Sequence, residues 1–124
     1  IKGDPYHCFC LKTTRLVKEF LNLNDDEVIT TFQSRFGRAE WLQPYTSQTL
    51  IDLPSQGIKD VQIISPGFSA DCLETLEELE EENREYFEKA GGQKYKYIPC
   101  LNDNFSHIGM MIELIKKHTQ GWKI

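Results

Sequence analysis

The stretch Val61-Gln62-Ile63-Ile64-Ser65-Pro66-Gly67-Phe68-Ser69-Ala70-Asp71-Cys72-Leu73-Glu74-Thr75-Leu76-Glu77-Glu78 decides the fold. Its first five residues are rich in β-branched side chains and read as a strand, closed by Pro66-Gly67. A long helix is predicted next, from about Ala70 to Ala90, with Gly91-Gly92 as its stop. A strand, a tight turn and a long helix make up most of a βαβ unit, and the same alternation continues on both sides. Upstream, residues 11–23 suit a helix capped by Thr13 or Thr14, and Asn24-Asp25-Asp26 end it as a turn. Residues 28–32 (VITTF) read as a strand, 33–45 as a long loop, and 46–53 as a short helix broken by Pro54 and Gly57. Downstream, residues 95–98 (YKYI) read as a strand ended by Pro99, and 105–118 as a last helix. The order α-β-α-β-α-β-α predicts an α/β fold with parallel strands, right-handed crossovers and helices on both faces. Three strands leave much edge uncovered in such a sheet, so a further strand is expected to lie outside the chain.

The whole has 124 residues, the size of one domain. Apolar residues at 40% and aromatics at 11% exclude a disordered chain. No apolar run approaches the ~20 residues of a membrane-spanning helix. The net charge of -5 is unevenly spread. Residues 71–88 hold nine acids and one base, Arg84, while the remainder carries a small positive excess. That argues against a nucleic-acid surface, which needs clustered Lys and Arg, and leaves room for a cation site on the acidic helix. The chain opens on Ile1 with no signal-peptide pattern, which suggests a mature form or a fragment. Residues 1–10, including His7, are expected to be disordered. The four cysteines, Cys8, Cys10, Cys72 and Cys100, lack C-x-x-C spacing and read as reduced thiols of a cytosolic protein. A metal or cluster role for Cys8 and Cys10 is the minor alternative.

On an ideal helix Glu74, Glu78 and Glu82 share one face, with Leu73, Leu76, Leu79 and Phe87 turned to the core. Asp71 and Glu74 sit in the first turn, where the helix dipole favours negative charge. A solvated amphipathic face explains this pattern. So does a ladder of carboxylates that handles a cation or moves protons. Its place beyond the carboxyl end of a strand favours function, because ligands of α/β sheets bind there, and Asp71 and Glu74 are expected to point into the cleft. The loop Gln33-Ser34-Arg35-Phe36-Gly37-Arg38 also follows a strand. Arg35 and Arg38 suit an anion, Gln33 and Ser34 donate hydrogen bonds, and Trp41 offers a flat apolar face. The alternative for Trp41 is a loop stapled to the core. Together the two loops suit a planar ligand bearing carboxylates, and a metal ion. His7, His107 and His118 read as surface or capping residues. No Ser-His-Asp order, Walker loop or dinucleotide fingerprint is present.

Thr31-Phe32-Gln33-Ser34-Arg35-Phe36-Gly37, Trp41-Leu42, Pro44-Tyr45-Thr46, residues 66–78 and Tyr95 to Leu101 with Asn102 resemble ferrochelatase in order and spacing. The likeness is to the C-terminal part of a bacterial, cluster-free enzyme of that family. It implies a chelatase-like three-layer α/β/α sandwich with a parallel sheet, of which residues 1–124 cover about three strands as one domain incomplete at its N-terminal side. It implies insertion of ferrous iron, as substrate, into protoporphyrin IX in the last step of haem synthesis. The family's glutamate at the porphyrin centre falls on Glu74, with metal or proton roles for Glu78, Glu82 and Asp71. Gln33, Ser34, Arg35 and Trp41 match the porphyrin-lining segment. Some relatives carry a histidine where this chain has Cys72. No [2Fe-2S] cluster is expected, because the cysteine-bearing extension is absent. The family's His-Gly-(Leu/Ile)-Pro motif and its N-terminal domain, the other wall of the cleft, are also absent, so this chain alone is expected to be inactive. Partners implied are protoporphyrin IX, ferrous iron and that N-terminal domain, with no nucleic acid. The expected location is cytoplasmic, with peripheral contact at the inner membrane face left open. A non-catalytic metal-binding or interaction domain is the alternative. A small cobalt or nickel chelatase is a third class, which would need strand-end histidines that this chain lacks.

Overall fold

The computed structural model describes residues 3–33 and 40–122. Two parallel strands form the sheet: β1 (Asp60–Ile63) pairs with β2 (Lys94–Tyr97), Val61 opposite Tyr95 and Ile63 opposite Tyr97. The described residues also form four α-helices: α1 (Tyr6–Leu21), α2 (Thr46–Asp52), α3 (Asn83–Lys89) and α4 (Phe105–His118). A 3-10 turn, Leu53–Gln56, extends α2, and a π-helical stretch, Glu74–Glu82, runs into α3. The α/β class and parallel pairing agree with the sequence. The expected strand at 28–32 is reduced to a single bridge, Phe32 to Tyr45. Phe32 N–H donates to Pro44 O at 2.9 Å and Phe32 O accepts from Thr46 N–H at 3.0 Å, so this residue holds the entry to α2 instead of joining the sheet.

The core lies on one face of the strands. Tyr95 and Tyr97 alternate inward with exposed Lys94 and Lys96, as period-two geometry requires. They meet Leu50 and Leu53 from the α2 region, Leu79 from the π stretch and Phe87 from α3, with Val61 and Ile63 behind. The Phe87 and Tyr95 rings sit 6.0 Å apart and tilted. The opposite face, with Gln62, Lys96 and the Asp60–Lys94 ion pair, is exposed, so helices cover one face where two were expected. After α3 the chain turns at Gly91, φ 99°, in the left-handed region that glycine adopts without cost. At Gly92 a Cβ would lie 2.2 Å from the Phe87 ring, so only glycine lets the chain pass over it.

Residues 6–10 are ordered into α1, contrary to the expectation for residues 1–10, of which 1 and 2 lie outside the described residues. Asp4 Oδ1 accepts from Tyr6 N–H at 2.9 Å and Pro5 precedes the first turn, a helix-start arrangement. His7 therefore lies on a helix, its ring 5.6 Å from Phe32. Thr13 and Thr14 are inside α1, not at its start. They bond back to the carbonyls of Phe9 and Cys10, and Thr14 also meets Thr30 at 2.7 Å. Asn22, at φ 55°, closes the helix. All four cysteines are free thiols.

Candidate functional site

The π stretch is held open by donors from outside its own ladder. Widening a helix to i+5 bonds needs such support, and π turns occur often at functional sites. Asn83 N–H donates to Glu78 O five residues back, and Asn83 Nδ2 donates to the same oxygen at 2.7 Å. Tyr95 Oη donates to Leu79 O, Arg84 Nε to Glu80 O at 3.0 Å, and Gln33 Nε2 to Glu74 O at 3.0 Å. The Arg84 guanidinium also lies 5.4 Å from the centre of the Tyr95 ring. Burial of Tyr95 pushes its hydroxyl well above the ordinary tyrosine range, keeping it a donor.

This geometry changes which residues face where. Thr75, Leu79, Asn83 and Phe87, spaced by four, are buried, while Leu73 and Leu76, expected in the core, are exposed. A step of four overshoots an α turn of 3.6 residues and falls short of the wider π turn. Over a π stretch followed by α3 the two drifts offset, and a spacing of four runs straight along the axis. Glu74, Glu78 and Glu82 have that spacing and form a row beside the buried stripe.

Two clefts flank Gln33. The larger, about 470 Å³, is lined by α1 residues such as Phe9 and Cys10, by Gln33 and Trp41, and by residues 63–68 at the carboxyl end of β1. Its volume lies in the small-molecule range. The smaller, about 320 Å³, is lined by Gln33, Tyr45, Glu78, Glu82, Asn83 and Tyr86, among others. The expected joining of the two loops into one cleft is thus realised on its aromatic side by Trp41 and Gln33. The acids stand in the neighbouring cleft. Ser34, Arg35 and Arg38 lie outside the described residues. Asn83 is 5% exposed, and its Oδ1 has no hydrogen-bond partner among the described residues.

Glu74 opens the π stretch. The Cys72 thiol and its own N–H hold its carboxyl below the usual range, so it is ionised at neutral pH. Its carboxylate lines neither cleft; its carbonyl is tied to Gln33, which lines both. Asp71 departs from expectation more sharply. It lines neither of the two clefts. Its Oδ1 accepts from Tyr97 Oη at 2.7 Å, Thr75 Oγ1 at 3.1 Å and Cys100 N–H at 3.2 Å, and its Oδ2 from Asn102 Nδ2 at 2.7 Å. These bonds, led by Asn102 and Tyr97, hold its carboxyl far below the usual range. Burial above all, with the Cys100 and Asp71 contacts, pushes Tyr97 up to about 12. Among the described residues no three His, Cys, Asp or Glu side chains converge on a metal-sized point.

His107, read from sequence as a surface or capping residue, is 6% exposed. Its Nδ1 meets Asn102 O at 2.8 Å and its Nε2 meets Ser69 Oγ at 3.0 Å, so it joins α4 to the loop after β1. Sequence alone places neither this histidine nor Asn102 in the site; the run of side-chain acceptors at Asn102-Asp103-Asn104 ahead of α4 is the signal that points to them.

The family model described as Ferrochelatase matches residues 1–119. The chain belongs to the ferrochelatase family. Among curated relatives, "Ferrochelatase" of Marinobacter nauticus is 58% identical over 124 residues, all of this chain and 34% of the relative. "Ferrochelatase 2" of Shewanella oneidensis is 63% identical over 116 residues, 94% of this chain and 36% of the relative. "Ferrochelatase" of Idiomarina loihiensis is 58% identical over 122 residues, 98% of this chain and 34% of the relative. The chain thus spans about a third of the length of the ferrochelatases it matches. No helix among the described residues is long and apolar enough to cross a membrane.

Proposed function

We propose that this chain is the acidic wall of a ferrochelatase that inserts ferrous iron into protoporphyrin IX. The observation that carries the reading is the Gln33–Glu74 bond. It joins the segment beside the aromatic cleft to the first residue of the π-helical acid row. In this reading Gln33, Ser34, Arg35 and Trp41 meet the porphyrin, the guanidinium taking a propionate carboxylate. Glu74 faces the reacting centre, and Glu78 and Glu82 lead cations or protons to and from it. Membership of the family, and Glu78 and Glu82 lining the smaller cleft four residues apart, support this assignment.

The chemistry follows from charge balance. Two pyrrole N–H protons leave as one dication enters, so the site must present negative charge to Fe²⁺ and accept protons in the same place. An ionised Glu74 meets the first need. The acids behind it, four residues apart, repel one another, a cost that a passing cation or proton relieves. A second base on the far face of the porphyrin belongs to the same reading. It would come from the remainder of a longer enzyme, with these residues as its C-terminal part, in the cytoplasm. The isolated 124-residue chain is therefore inactive.

The test is turnover of the full-length enzyme carrying this segment, followed by the loss of porphyrin fluorescence with Fe²⁺ or Zn²⁺. Replacing Glu74 by Gln keeps the shape and removes the charge. Turnover should fall by about 10²-fold or more, the scale of a lost proton-transfer group. Unchanged turnover refutes the role of Glu74, and metal insertion by the isolated chain refutes its inactivity.

A further inference from the structure

We propose that Asp71 and Asn102 form a positioning clasp for Glu74, fixing the backbone that carries it, and that the Asp71 carboxylate itself handles neither metal nor protons. This rests on the reading of Glu74 given above. The two side chains make a reciprocal pair. Asp71 N–H donates to Asn102 Oδ1 at 2.8 Å, and Asn102 Nδ2 donates to Asp71 Oδ2 at 2.7 Å. The other carboxylate oxygen takes Tyr97 Oη, Thr75 Oγ1 and Cys100 N–H. Three donors crowd Oδ1 and one reaches Oδ2, with the Thr75 proton shared between Asp71 Oδ1 and Cys72 O at 3.0 Å, and Asp71 lines neither of the two clefts.

The donors come from two directions. Tyr97 ends β2, and Cys100 and Asn102 lie in the turn after it, so the pair ties the start of the π stretch to the sheet. Thr75 follows Glu74 directly and is fully buried. Its Oγ1 also accepts from Cys72 N–H at 2.9 Å. Asp71 therefore holds Thr75 on one side of Glu74, and Thr75 holds Cys72 on the other. Asn102 is fixed in turn. Its φ of 48° lies in the left-handed region, which Asn and Asp enter more readily than other side chains. Its N–H donates to Ser69 O at 3.0 Å and its carbonyl meets His107 Nδ1. A network this fully partnered specifies one geometry, and the loss of one member is felt at the rest.

An exchange of partners separates positioning from chemistry. In full-length enzyme, Asp71→Asn turns an amide donor toward the Asn102 amide. It should lower kcat by about 10- to 100-fold, the range found for groups that orient a metal or catalytic site, with KM for porphyrin unchanged. Adding Asn102→Asp rebuilds the reciprocal pair with the charge moved to the other side, and Asp tolerates the left-handed backbone. The double variant should recover to within about threefold of wild type, since the two bonds return and only the charge has moved. A double variant as slow as the single one overturns the proposal, because the carboxylate at 71 is then needed for itself. So does a folded single variant with unchanged kcat. If the single variant fails to fold, Asn102→Gly, which keeps the backbone and deletes the clasp, takes its place with the same expected fall, and unchanged kcat overturns the proposal. A wild-type enzyme that inserts no metal refutes the functional reading on its own. The clasp is then judged by hydrogen exchange at residues 72–75, which Asp71→Asn should speed and the double variant should restore. Exchange unaltered by the single variant overturns the clasp.

Discussion

The body of this molecule and its two outer helices use apolar residues in opposite ways. In the body, Phe87 and Leu50 are sealed at 0% and 2% exposure between the strands, α2 and the π–α3 helix. α1 buries none of its 16 residues and α4 buries only His107, although Phe9, Phe20, Phe105 and Ile115 lie on them. Caps shape both: Asp4 holds Tyr6 N–H, and Asn104 Oδ1 holds Ser106 N–H at 3.0 Å. Capping and local bonds are a weak source of helix stability, most of which comes from burying an amphipathic face. The acid row therefore stands on the rigid part. The larger cleft borrows one wall from α1, the soft part. Native-state hydrogen exchange should show slow amides in β2 and α3 and faster ones in α1 and along the outer turns of α4. Equal protection would erase the contrast.

The largest expected effect breaks the body. Phe87→Ala empties the centre of the core and should cost about 3–5 kcal/mol in urea titration. Gly92→Ala should cost about 1–3 kcal/mol, because the added methyl meets the Phe87 ring in a full core. In the double variant Phe87→Ala with Gly92→Ala the two losses should not add, since the first makes room for the second. Full additivity would mean that the glycine is required for its backbone alone.

The sequence discloses the body better than the site. Residues 61–65, 95–98 and 105–118 read as two strands and a helix, and β1, β2 and α4 stand there within one or two residues. Their patterns are local. The strand expected at 28–32 failed because β propensity measures fit to a pleated neighbour, and only Phe32 finds one. The π stretch was invisible in a pattern drawn at 3.6 residues per turn, since it depends on Tyr95, Gln33 and other donors outside it. Its widening turned Leu73 and Leu76 outward and kept the three glutamates in a row. Asp71 and Glu74 look alike in sequence as first-turn acids. Only the approach of Asn102 and Tyr97, about 30 residues away along the chain, separates a clasp from a candidate ligand.

That separation has a signature in acid. The Asp71 carboxyl is depressed in the folded state, so its stabilising effect is complete above the ordinary carboxylate pKa of about 4. It is lost as pH falls through the lower folded value. Asp71→Asn should therefore be less stable than wild type at pH 7, and the gap should narrow below about pH 4. A gap of constant size from pH 7 to pH 3 would mean that its ionised form is not the one the clasp holds.

The smallest effect belongs to the outer helices. Phe105 opens α4 at 91% exposure, and Phe20 lies at 89% near the end of α1. In the 124-residue chain neither ring leaves water on folding, so its removal forfeits almost no transfer free energy. Phe105→Ser and Phe20→Ser should each shift stability by no more than about 0.5 kcal/mol, as exposed substitutions away from caps and cores do. The Asn104 cap is untouched by the first change, and α1 ends on Asn22 with or without the second. A loss above about 1 kcal/mol for either would place that ring against a second surface, because only burial yields losses of that size from an apolar truncation. The contrast between body and outer helices would then hold for the single chain in isolation and not for its state in solution.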